Sequence, residues 1–182
     1  MENKEQFISS GDLFPLIMEQ LRKGNRVRFT VSGISMAPWL INNRDQVELI
    51  SVEGIRLKKG DIILFQPSEG KYVLHRITQV TPEGYITTGD GNLHRDGMVS
   101  REALMAKAVR MIRKGHTMDC ESLRWKMIFR VWMLLFPIRG FLLKSMSTVG
   151  KFKSNICRGS ASLSLSVKHP GKSGKKDRNP MV

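Results

Sequence analysis

DIILFQPSEGKYVLHRITQVTPEGYITT, residues 61–88, decides the fold class. It holds three runs rich in β-branched and aromatic residues, DIILFQ (61–66), YVLHRITQV (72–80) and YITT (85–88), separated by the turn clusters PSEG and TPEG. Such runs pack well on a pleated surface, and Pro and Gly supply the dihedrals of tight turns, so the pattern predicts strands joined by short connections. Outward from this stretch, RVRFTVS (26–32) and DQVELIS (45–51) precede it and AKAVRMI (106–112) follows, with LKKGD and TGDGN as further turns. The prediction is a mainly β, antiparallel domain over 26–115.

The flanks differ in character. Residues 1–25 read as a polar leader followed by a short amphipathic helix over 10–23, with Leu13, Ile17 and Leu21 on one face and Gly24 as its stop. The start, MENKEQFISS, shows no apolar run behind a basic segment, so no secretory signal or upstream anchor is read there. Residues 116–150 are expected to form an apolar, basic helical segment. Within it RWKMIFRVWMLLFPIRGFLL (124–143) is interrupted by Arg130, Pro137 and Arg139, whereas a spanning helix needs about 20 predominantly apolar residues. The segment is therefore read as an amphipathic helix lying in an anionic membrane surface, with packing on the β domain or on a partner protein as the alternative. Residues 151–182, rich in Ser, Lys and Gly, read as a basic disordered tail.

Charge follows the same division. The chain of 182 residues carries a formal net charge of +14, of which +13 falls from Arg110 onward and +1 before it. The basicity marks an attachment device rather than the chemistry of the domain. Hydrophobic residues at 41% and charged residues at 25% match a folded domain and argue against a polytopic membrane protein. Cys120 and Cys157 lack metal-ligand spacing, so no metal, disulfide framework or cofactor is called for.

The chemistry concentrates in a few residues. VSGISMAPWL (31–40) follows a strand-like run; Gly33 permits an unusual backbone, Met36 offers an apolar anchor and Pro38 fixes the exit, so Ser35 is held in one geometry, as a nucleophile requires, although an ordinary loop would read the same way. His75, within YVLHRITQV, shares a strand face with Val73 and Ile77; it is a general base or a satisfied structural histidine. Asp90 and Asp96 are the carboxylates available to orient it, and His94 reads as an exposed loop residue.

GxSMxPxL (Gly33, Ser35, Met36, Pro38, Leu40) resembles the nucleophile box of type I signal peptidases and the related self-cleaving repressor peptidases. KKGDIILF (58–65) is similar to the strand that follows that box, and TTGDGNLHRD (87–96) to the box near the end of the catalytic core, so the resemblance covers Arg26 to Arg113. Where most bacterial members place a lysine base, this chain has His75 followed by Arg76, which resembles the Ser/His branch found in the endoplasmic reticulum, spore-forming bacteria and archaea. The resemblance implies a signal-peptidase-like β core, a Ser35 nucleophile with its own backbone N–H in the oxyanion hole, a His75 base, and Asp96, six residues after Asp90, as the orienting carboxylate. Asp90 is then expected to organise its turn through side-chain to backbone hydrogen bonds.

The expected function is a membrane-associated serine endopeptidase acting on leader or signal-like peptides of a preprotein, bound as an added strand. A non-catalytic or self-processing regulatory module, whose basic tail binds nucleic acid or an anionic membrane, is the alternative. Nucleic acid is the less favoured partner, since no helix-turn-helix is read before the β domain; a membrane-surface scaffold with a decayed site is a third reading. Sequence does not define the oligomeric state.

Overall fold

The computed structural model describes residues 7–8, 10–68, 71–149 and 163–167. Its elements in chain order are β1 (Phe7–Ile8), α1 (Ser10–Arg22), β2 (Val27–Thr30), β3 (Gln46–Ser51), β4 (Ile62–Ser68), β5 (Lys71–Val80), β6 (Gly84–Thr88), β7 (Met98–Ser100), β8 (Leu104–Arg113), β9 (His116–Asp119), α2 (Leu123–Leu134), a 3₁₀ turn (Phe136–Ile138), α3 (Arg139–Val149) and β10 (Leu163–Val167). All strand pairs are antiparallel, in the order β1-β10-β2-β3-β8-β4-β5-β6-β7, with β9 beside β8 off this path. The mainly β architecture read from the sequence is the one observed.

Strand alternation builds two cores. Ile62 and Leu64 of β4 enter one, with Val47, Leu49, Ala106, Ala108 and Met111, while Ile63 and Phe65 turn to the other, with Ile77, Tyr85, Val99 and Leu57. α1 closes the first core with Phe14, Ile17 and Leu21. The expected helical face is thus met at Ile17 and Leu21, with Phe14 completing it; the side chain of Leu13 lies outside the described residues. Gly24, at φ 75°, stops the helix as expected.

Two boundaries differ from the sequence reading. Residues 116–119, expected to begin the helical segment, form β9 against β8, with Met118 buried. The helical segment is broken in two at the expected interruption, because Pro137 cannot continue α2 and sits in the 3₁₀ turn from which α3 departs. Of the expected disordered tail, 163–167 pairs with β2 through the alternating LSLSV; its other residues lie outside the described ones.

Candidate active site

The loop between β2 and β3 carries Ser35. Gly33 at its start has φ 92°, a left-handed backbone that a side chain would strain, and its N–H donates to Asn42 Oδ1 at 2.9 Å. Met36 and Leu40 anchor the loop in the first core. Between them the Ala37–Pro38 bond is cis, Trp39 meets Trp125, Phe129 and Trp132 edge-on, and Arg113 Nη2 donates to the carbonyls of Pro38 and Trp39 at 2.6 and 2.7 Å. Ser35 is therefore half-buried on a loop pinned at both ends. Its carbonyl accepts from Gly91 N–H at 2.7 Å, and its own N–H and Oγ have no hydrogen-bond partner among the described residues.

His75 stands in mid-strand on β5, opposite Ile63 of β4. Its ring is buried edge-on to Phe65, and Nδ1 lies 2.6 Å from Asp96 Oδ2. That same oxygen accepts from Thr87 Oγ1 at 2.6 Å, and Asp96 N–H donates to Thr87 O at 2.9 Å, so Thr87 of β6 fixes the carboxylate from two directions. Between the two candidate carboxylates the structure is explicit: Asp96 reaches the imidazole. An ionised carboxylate can only accept, so Nδ1 carries the proton and Nε2 is left as the basic nitrogen.

Gly89 follows directly on the last β5–β6 pair, Arg76 with Thr88, and a Cβ on it would lie 2.4 Å from Ser35 O. The Ser35 loop thus lies against a glycine that has no room for a side chain, at the end of the strand paired with the one that carries His75. No hydrogen bond joins Ser35 Oγ to His75 in this state, among the described residues. His94 is exposed, as expected.

Asp90 takes a different role from the one expected. Its carboxylate binds the Arg76 guanidinium bidentately, Nε to Oδ1 at 2.9 Å and Nη2 to Oδ2 at 2.7 Å, with both side chains 1% exposed. It therefore holds a neighbouring strand rather than its own turn's backbone. Arg76 also donates to Gly60 O at 2.8 Å and stacks over the Phe129 ring at 4.1 Å. Arginine opposite a carboxylate in this fork geometry is the strong form of ion pair, and burial demands that it stay paired.

The helical segment is docked on this turn, which the sequence reading gave only as the alternative. Trp132 Nε1 donates to Asp90 O at 3.2 Å, and Arg139 Nη1 to the carbonyls of Gly89 and Asn92, each at 3.3 Å. Phe129, Trp132 and Arg139 are buried there. Thr87, Arg76, Trp132 and Arg139 are the site residues that sequence reasoning missed. A charged residue beside His75, between the apolar Leu74 and Ile77, is the one signal that could have pointed to Arg76.

Two other reactive groups are held inert. Lys107 is buried between Asp61 at 3.2 Å and Glu121 at 2.6 Å; burial pushes its ammonium down, but Glu121 and Asp61 outweigh this and hold it above its ordinary value, charged and unable to act as a base. Burial pushes the Cys120 thiol up to about 12, far from a reactive thiolate. No family model matches the chain, and neither a curated protein nor a solved structure is significantly similar to it.

Proposed function

We propose that the protein is a serine endopeptidase of signal-peptidase type that cleaves leader or signal-like peptides through an acyl-enzyme, with Ser35 as nucleophile, His75 as general base and Asp96 as the group that orients it. The observation that carries the proposal is the 2.6 Å contact between His75 Nδ1 and Asp96 Oδ2, with Ser35 held by its carbonyl to Gly91 in the loop that leads to Asp96.

The chemistry follows from that contact. A serine hydroxyl is a poor nucleophile near neutral pH, and an imidazole locked with Nε2 unprotonated can take its proton as Oγ attacks the scissile carbonyl. Asp96 steadies the imidazolium that forms, and His75 returns the proton to the leaving amine. Water then enters by the same base and releases the acyl group. Ser35 N–H, which has no acceptor among the described residues, is the donor that meets the developing oxyanion. The step requires Oγ to come within about 3 Å of Nε2, a contact that tightens on substrate binding in many hydrolases.

The test is cleavage of a model secretory precursor by wild-type protein and by Ser35→Ala and His75→Ala. Loss of cleavage in both variants, with folding intact, supports the assignment. Cleavage retained by either removes it.

A further inference from the structure

α2 presents two opposed faces, and among the described residues only one of them meets the β domain. At about 100° per residue, Leu123, Met127, Val131 and Leu134 fall within an arc of about 80°, centred nearly opposite the buried Phe129 and Trp132. Leu123 is 82% exposed, Met127 61%, Val131 54% and Leu134 78%, and beyond α2 Ile138 and Phe141 are exposed too, at 53% and 75%. An exposed apolar row of this length on one side of a docked element marks a contact surface.

The charge around it indicates what the surface meets. From Leu123 to Val149 the chain has no Asp or Glu, and of its five basic residues Arg139 is buried and Lys126 is paired with Glu121. Arg124 and Arg130, both exposed, lie about 60° to either side of the stripe's centre, which is where cationic side chains extend toward headgroups from a helix lying at a lipid interface. Among the described residues no helix is long and apolar enough to cross a membrane. An apolar stripe between two arginines, in a stretch without acidic groups, matches an anionic lipid surface better than a second copy of the same basic face, which would set like charges against each other.

We infer that α2–α3 is an interfacial arm that seats its Leu123–Phe141 stripe on an anionic membrane. The inference does not depend on peptidase activity. It has a consequence for the site, because the arm's other face holds the turn at Gly89–Asn92, and the site of Gly140 lies against Leu93, 51% exposed, just beyond that turn: a missing Cβ there would be 3.4 Å from Leu93 Cδ2. A seated arm would therefore tether to the membrane the turn whose Gly91 N–H bonds Ser35 O.

The experiment uses full-length Ser35→Ala protein and sedimentation with vesicles of phosphatidylcholine alone or mixed with phosphatidylglycerol. Binding to the mixed vesicles, weakened by salt and absent from phosphatidylcholine alone, is expected, because the arginines supply attraction and the stripe insertion. Leu134→Glu with Phe141→Glu should weaken binding by at least about 100-fold, since each replaces an apolar side chain seated in lipid by a charge at the interface. Unchanged near-ultraviolet circular dichroism in that variant shows that the docked face is intact, and Leu134→Ser with Phe141→Ser serves if it is not. No binding to mixed vesicles, or binding indifferent to these substitutions, overturns the inference. So does a concentration-dependent dimer that the substitutions dissociate in the absence of lipid binding.

Discussion

Replacement of Asp96 separates its charge from its geometry. Two donors, His75 Nδ1–H and Thr87 Oγ–H, converge on Asp96 Oδ2, each at 2.6 Å. In Asp96→Asn the amide oxygen can keep both bonds, whereas the flipped amide would turn its NH₂ on them and leave the Thr87 hydroxyl, 0% exposed, without its acceptor. An orphaned buried hydroxyl costs about 1–3 kcal/mol, enough to hold the amide oxygen inward and the imidazole in its working tautomer. What Asn loses is charge. A hydrogen bond to a charged group is worth about 1.5–3 kcal/mol against about 0.5–1.5 kcal/mol for a neutral one, so the loss is about 1–1.5 kcal/mol, or roughly tenfold in rate. Removing Thr87's control in Thr87→Val with Asp96→Asn frees the amide to flip, and the loss should grow toward the roughly 10⁴-fold of a triad in the wrong tautomer. The assay is the second-order rate of phosphonylation at Ser35, which needs no known substrate. If Asp96→Asn alone costs 10⁴-fold, or if Thr87→Val adds nothing to it, the reasoning about Thr87 is refuted.

Three further outcomes follow from the same geometry. Gly89→Ala sets a methyl 2.4 Å from Ser35 O, a backbone atom that cannot swing aside, so the variant should lose most phosphonylation and some stability, both readable on one purified sample. Arg76→Met leaves the Asp90 carboxylate buried alone and should cost about 3–5 kcal/mol in denaturant unfolding, with Asp90→Asn added to it recovering part of that. Lys107 first, then Lys126, holds the Glu121 carboxyl down at about 2, against an ordinary 4.5; a depressed carboxylate stabilises the fold above its unfolded value and loses that contribution as pH falls through the folded one. Stability should therefore fall between about pH 4.5 and 2, and Glu121→Gln, with its carboxylate 44% exposed, should flatten part of that fall in acid titration of unfolding.

The strands were legible because each carries its own period-two pattern and its own punctuation. Residues 61–88 give β4, β5 and β6 within a residue or two, and the hydrophobic alternation of IILF alone distributes side chains to both cores. β7 and β9 were missed because three or four residues hold too little pattern to stand out. At the site, the His75–Asp96 contact was legible from the motif order, whereas Thr87 was not, since a threonine in a strand is ordinary until its partner is known. Arg139 shows the limit most clearly. In an apolar run it reads as an interruption facing water or lipid, yet it is 2% exposed and spent on the carbonyls of Gly89 and Asn92. Periodicity tells which residues share a helix face, not which face meets the protein, and with both faces of α2 apolar the choice lay in the tertiary fold.

Nucleophile activation is measured most directly by intact-mass labelling with a fluorophosphonate, followed by peptide mapping. The account predicts a single adduct on Ser35 that disappears in His75→Ala while the fold persists. An unlabelled wild-type protein, or labelling at Ser35 that proceeds equally without the imidazole, would contradict it.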